Sequence, residues 1–336
     1  MRLFRILVVG AVISTSSWSQ SSPQSVITVD TENNTYYVTD TPDLTQYAKN
    51  PGPVPAVSGA GTAPTFAHVT MLGDIVTING VPAKGTVVNS YTVLNLNPNS
   101  MPGQSIADIT AFALSGAISM ELLLADGTRV GGLTASGLWS APAPPGAPSN
   151  AASAYGPISG GTGSFLGIRG ALLQSKVSNI FGRPASVTED PSYRRINGGG
   201  TSHFVLHVIP LEAPDVLTSG RGPEIVHADD YRPVSPARPA HAGETLILFA
   251  AGLGPTRPGV DPGVPFTPDP VQVVNAPVEV LVSGHAANVL SATGFPGTKD
   301  TYRVHFQIPA DTPAGTADLQ LRVAWMEGHT VQLSVQ

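Results

Sequence analysis

The sequence predicts an all-β chain of two successive units, and three observations carry that prediction. Gly and Pro supply 36 and 32 of the 336 residues, so about a fifth of the chain is turn punctuation. Charged residues make up only 12% against 41% hydrophobic, which suits short half-buried strands better than long helices with charged faces. Strict alternation completes the case. Tyr302, Val304, Phe306 and Ile308 share one face of a strand, and Arg303, His305 and Gln307 share the other.

The first 19 residues have the order of an export signal. Arg2 and Arg5 precede the apolar run ILVVGAVI, and Ser17 and Ser19 sit at −3 and −1 for cleavage before Gln20. That run is too short to span a bilayer, and no other apolar segment approaches the ~20 residues a spanning helix needs. An exported protein without transmembrane helices is expected, periplasmic, outer-surface or extracellular. Residues 20–65 read as a hairpin, SVITVDTENNTYYVTD turned at Glu32-Asn33-Asn34, followed by the Pro/Gly linker NPGPVPAVSGAGTAP.

A first domain is expected over 66–212, as a meander of strands with Asp126-Gly127 as its strongest hairpin turn. APAPPGAPSNAAS at 141–153 interrupts it as a low-complexity loop, and SYRRINGGGTSHFVLHVIPL reads as its last hairpin, turned at Gly198–Gly200. Residues 213–222 read as a linker. The second domain, 223–336, contains about seven strands over roughly 110 residues, the count of an immunoglobulin-like sandwich. With no cysteine in the chain, both units depend on hydrophobic cores, and thiol catalysis and cysteine-based metal sites are excluded.

Two family resemblances rest on specific residues. AGETLILFAAGLGPTRPGVDPG (242–263), VNAPVEVLVSGHAANVLSA (274–292) and YRVHFQIPADTPAG (302–315) resemble a family of C-terminal domains in exported, mostly acidobacterial proteins. That resemblance implies an immunoglobulin-like fold and brings no catalytic residues. GGTGSFLGIRG (160–170) resembles the glycine-rich corner of allene-oxide-cyclase and dirigent β-barrels. It implies an eight-stranded calycin-like barrel for the first unit, with Arg169 as the matching motif residue.

As chemistry, the same glycine motif lacks the Lys of a phosphate loop, and Gly161, Gly163 and Gly167 miss the dinucleotide spacing. It reads instead as a barrel corner, with Gly160 and Gly161 in a tight turn and Gly167 and Gly170 in bent strand. Arg169 would share a face with Phe165; inward it is a buried cation seeking a partner or ligand, outward an ordinary solvated arginine. Glu121, between Met120 and Leu122, is solvent-facing unless its face lines the barrel, where it becomes a candidate acid or base. Arg169 and Glu121 are therefore the candidate ligand-binding residues, with no catalytic residue assigned.

His203 and His207 share a strand face but stand about 13 Å apart, too far to bind one metal. HADD (227–230) lacks the spacing of a calcium loop and reads as a polar start of a strand. No nucleophile elbow, zinc motif or glycosidase-like carboxylate pair is present. Trp139, Trp325 and the tyrosines read as dispersed core aromatics. No cofactor or metal is implied, and a net charge of −6 argues against nucleic acid as a partner.

Three functions follow. The first is a non-catalytic protein whose barrel binds a small apolar or extracellular ligand, or a cell-surface polymer, with the second domain as spacer or adhesion module. The second is a dirigent- or cyclase-like enzyme working in the barrel cavity. The third is a purely structural surface protein. Ligand, partner and oligomeric state stay open at this point.

Overall fold

The computed structural model describes residues 23–38, 68–93, 113–140, 154–178, 181–184, 190–197 and 199–336. The expected signal segment, the linker over 50–64 and the loop over 141–153 lie outside these residues. So does Gly198, the first glycine of the expected last turn.

The first unit contributes β1 (Ser25–Val38), β2 (His68–Ile78), β3 (Val81–Val93), β4 (Ala113–Leu124), β5 (Arg129–Ser140), β6 (Ala154–Gly163), β7 (Arg169–Ser178), β8 (Phe181–Pro184) and β9 (Gly200–Ile209). Neighbours run β2-β3-β4-β5-β6-β7-β9-β1, and β1 pairs again with β2. Eight antiparallel strands thus close into a barrel without a free edge. The short β8 lies parallel to β1 along Thr35–Val38, beyond the reach of β9. As expected, β4 and β5 turn at Asp126-Gly127, where the Asp126 carboxylate accepts the Thr128 N–H at 2.8 Å.

Two expected hairpins are corrected. Residues 25–38 form one strand, not two, with a bulge at Asn33 (φ 55°) where the register shifts against both neighbours. β-branched runs on either side of an Asn-Asn pair signal a bulged strand as well as a hairpin. Here β2 and β9 supply the hydrogen bonds a hairpin would have made with itself. Among the described residues of 192–211 there is likewise one strand, not two. The Asp190 side chain caps a 3-10 turn (Pro191–Tyr193) that runs into α1 (Arg194–Asn197) before β9 begins.

Arg194 and Arg195 both bond Asp74 on the outer face of β2, and Asn33 donates to the same carboxylate at 3.1 Å. This cluster ties the helical turn and the β1 bulge to the barrel wall.

Alternate residues fill the barrel. Ile27, Val29, Met71, Ile78, Ile118, Leu122, Leu133, Leu172, Phe204 and Leu206 are fully buried or nearly so. Above them lies a polar layer in which Asn34 donates to Thr31 Oγ1 (2.9 Å) and Ser202 Oγ (3.2 Å), and Gln174 donates to Ser202 Oγ (3.0 Å). Tyr36 and Tyr91 pack edge to face in the same half, ring centroids 6.4 Å apart.

The second unit is a sandwich of two sheets. One sheet contains β10 (Asp215–Val216), β13 (Ile225–His227), β14 (Thr245–Ala251), β15 (Thr256–Arg257), β16 (Val273–Val274), β19 (Asn288–Gly294) and β20 (Tyr302–Gln307). The other holds β17 (Val278–Val282), β18 (His285–Ala286), β21 (Gly315–Val323) and β22 (Met326–Val335). β11 (Thr218–Ser219) and β12 (Gly222–Pro223) form a small ribbon. Leu246, Leu248, Val304 and Phe306 meet Val280, Leu319, Leu321 and Leu333 in the core.

The expected linker, 213–222, is also corrected. Its β10 pairs with β14, Ala213 and Val216 are buried, and Asp215 accepts the His329 backbone N–H at 2.7 Å. Polar and Pro/Gly residues suggested a free connector, but here they make sheet-edge and hydrogen-bond contacts. The two units therefore share one joint. The Glu327 N–H donates to Ser25 Oγ at 2.8 Å, Arg257 donates to Thr128 Oγ1 at 3.0 Å, and Phe165 stacks on Trp325.

Candidate functional site

The glycine-rich motif builds the joint. β6 ends at Gly163 (φ 65°), the chain turns over 164–167, and Gly167 (φ 70°) leads into β7. These two positions need the left-handed backbone that glycine adopts without strain. Gly160 and Gly161, expected in a tight turn, are instead extended strand; a side chain at Gly161 would collide with the Phe165 carbonyl. The turn folds Phe165 inward as a buried plug, and its ring lies nearly parallel to that of Trp325 (10°), centroids 6.5 Å apart.

Arg169 is exposed at the start of β7. The turn removes the strand geometry that would have set it on the face of Phe165. Glu121 is also on the outer surface, where it forms an ion pair with Arg129 Nε at 3.0 Å, both side chains being about half exposed (48% and 65%). A shallow outer groove of about 660 Å³ surrounds that pair, edged by the hydroxyls of Thr86, Ser119, Thr134, Ser159 and Thr162; Arg169 does not line it. Of the two orientations open to each, both residues take the outward one, on strands separated by β5 and β6, so they form no pair inside the barrel. Glu121→Gln and Arg169→Ala should each change unfolding free energy by less than about 1 kcal/mol in urea denaturation.

Inward side chains crowd the described part of the barrel at the level of Asn34. Asn34 Oδ1 already occupies the space a side chain at Gly73 would need. Asn34 Oδ1, Asn89 Oδ1 and the Tyr91 hydroxyl are sealed from solvent without a partner among the described residues. Burial raises the Tyr36 phenol to about 12 and pushes Tyr91 higher still, with Tyr36 adding to the effect. Both phenols stay neutral.

His203 and His227 are engaged by carboxylates. His203 Nδ1 meets Asp30 at 2.6 Å, and Asp30 also accepts the Thr77 hydroxyl at 2.6 Å. His227 pairs with Glu244, while its neighbour Asp230 pairs with Arg238 at 2.7 Å. Among the described residues, no three His, Asp or Glu side chains are grouped closely enough to hold a metal ion.

The recess that both units build is a different place. Gly163, Ser164 and Leu166 of the barrel turn, with Leu211 and Glu212 after β9, form one wall. Gly254, Val260, Asp261, Val264, Phe266, Lys299, Asp300 and Tyr302 form the other, enclosing about 360 Å³. Leu166 (71% exposed), Leu211 (66%) and Val264 (48%) leave apolar surface open here. Tyr302 is oriented by its hydroxyl, which donates to the Gly254 carbonyl at 2.7 Å. Burial, with Asp300 and Glu212 nearby, raises this phenol to about 12. Sequence reasoning missed this cleft because its two walls lie in different domains; the one local signal was Leu166, an apolar residue inside a glycine turn.

Fold and site together define a class: an all-β protein of barrel plus sandwich, with a semi-enclosed apolar cleft at the joint. In comparisons with known proteins, no family model and no curated protein matches the chain.

Proposed function

We propose that the chain is an exported, non-catalytic binding protein that holds a small ligand with an apolar body in the cleft between its two units. In this reading the first unit is a calycin-like barrel of the dirigent type used as a filled scaffold. The second is an immunoglobulin-like domain that completes the site and serves as spacer. The carrying observation is the convergence of exposed Leu166, Leu211 and Val264 on one recess of about 360 Å³. Apolar side chains left uncovered in a concavity between domains are the usual setting of a small-molecule site.

A second reading places the ligand inside the barrel, and the unpartnered oxygens of Asn34, Asn89 and Tyr91 favour it. One titration separates the two. The neutral fluorophore N-phenyl-1-naphthylamine should bind saturably, at one equivalent per chain. Leu166→Asp should weaken it at least about tenfold, since losing part of a leucine contact costs ~1.5 kcal/mol; Tyr91→Phe should leave it unchanged. The opposite pattern moves the site into the barrel, and no saturable binding to the wild-type protein ends the proposal.

A further inference from the structure

We infer that the ligand of this cleft is an amphipathic organic cation, an apolar body carrying a quaternary or primary ammonium group. The inference rests on the reading of the cleft as the binding site and adds the charge of its occupant. Three carboxylates, Glu212, Asp261 and Asp300, stand on its walls against one ammonium, Lys299. The excess is therefore two negative charges around an apolar floor formed by Leu166, Leu211 and Val264. Low-dielectric walls focus such a field on whatever enters, and a net charge of −6 on the chain adds attraction at longer range.

The choice of an organic cation over a metal ion follows from the spacing of the acids. No three acidic or histidine side chains among the described residues are close enough to coordinate a metal. The carboxylates thus provide a diffuse negative field, without the six to eight converging oxygens a hard cation such as calcium demands. A weakly hydrated ammonium with hydrocarbon attached loses little on leaving water and gains the apolar floor. Phe266 and Tyr302, whose rings pack 5.1 Å apart, line the same cleft. Aromatic rings attract a quaternary ammonium electrostatically, a property neutral and anionic ligands do not share.

The test is displacement of bound N-phenyl-1-naphthylamine from the full chain by three probes of one chain length: octyltrimethylammonium, 1-octanol and octanoate. Octyltrimethylammonium should displace at concentrations about tenfold lower than 1-octanol, octanoate should be weakest, and the gap should narrow in high salt. Glu212→Gln combined with Asp300→Asn should bring the cation and the alcohol to within about twofold of each other. Both side chains are exposed, and folding of the variant is checked by a far-ultraviolet circular dichroism spectrum and a urea midpoint equal to those of the wild type. Equal displacement by cation and alcohol in the wild-type protein overturns the charge inference and leaves the cleft standing. Failure of the fluorophore to bind at all overturns both.

Discussion

Phe165→Ala is expected to cost about 3–5 kcal/mol of stability, the range for deleting a fully buried aromatic ring. Phe165 is 1% exposed, belongs to the core shared by barrel and sandwich, and stacks on Trp325. Nothing else in the 163–167 turn reaches that position, so the space cannot be refilled by a small rotamer change. The loss should be felt as uncoupling as much as destabilisation. Urea unfolding followed by circular dichroism should move to lower denaturant and separate into two transitions, because the ring lies where one unit meets the other. Tryptophan emission should shift red before either transition, as water replaces the phenyl ring beside Trp325. A single transition with a loss below about 1 kcal/mol would show that the stacking is incidental.

Asp74→Ala should be comparably severe for an electrostatic reason. The Arg194 side chain is 6% exposed, and removing its carboxylate leaves a buried guanidinium uncompensated, at about 3–5 kcal/mol. The same contact produces an acid limb. Burial alone would raise the Asp74 pKa, but the Arg195 hydrogen bond, the Arg194 charge and the Asn33 hydrogen bond outweigh it and hold the carboxyl below its usual range. The folded protein therefore binds this proton less readily than the unfolded chain. The stabilisation is fully present above the unfolded carboxylate range, near pH 4, and is lost as pH falls through the lowered folded value. Denaturation midpoints measured from pH 6 down to pH 2 should fall for the wild type and fall less steeply for Asp74→Ala. Part of the slope remains in the variant, since the Ser192 backbone N–H also holds Asp190 low. Parallel pH profiles would sink the assignment.

The chemistry of single segments was legible in the sequence, whereas pairings across long separations were not. Alternation marked β20 and β9, Asp-Gly marked the β4–β5 turn, and the failed phosphate-loop spacing of 160–170 correctly left a structural corner. What stayed hidden depended on distant partners. Residues 25–38 look like a hairpin until β9 is known to lie alongside. Glu121 sits on a strand with Leu123 on its own side and Met120 and Leu122 on the other, so both faces read as apolar until barrel closure sets which is inside. Arg169 does not share the face of Phe165 because a four-residue turn breaks the two-residue period just before it. The cleft depended on two domains meeting, and the 213–222 segment that positions them carries the composition of a loose connector.

Closure of the barrel by β1 sets an order of events for the newly made chain. Val29 pairs with Phe204 and Ile78, and Ser25 with Val208, so the earliest strand of the barrel is completed only when the latest has been made. Such remote pairings make assembly slow, in the millisecond-to-second range of β-barrels and sandwiches, and concentrate it in one late step. Until then one side of β1 presents open backbone donors and acceptors, to which any extended chain could add. Asp30 and Glu32 lie on the outward side of that strand, and their charge discourages a second copy from adding there before β9 arrives.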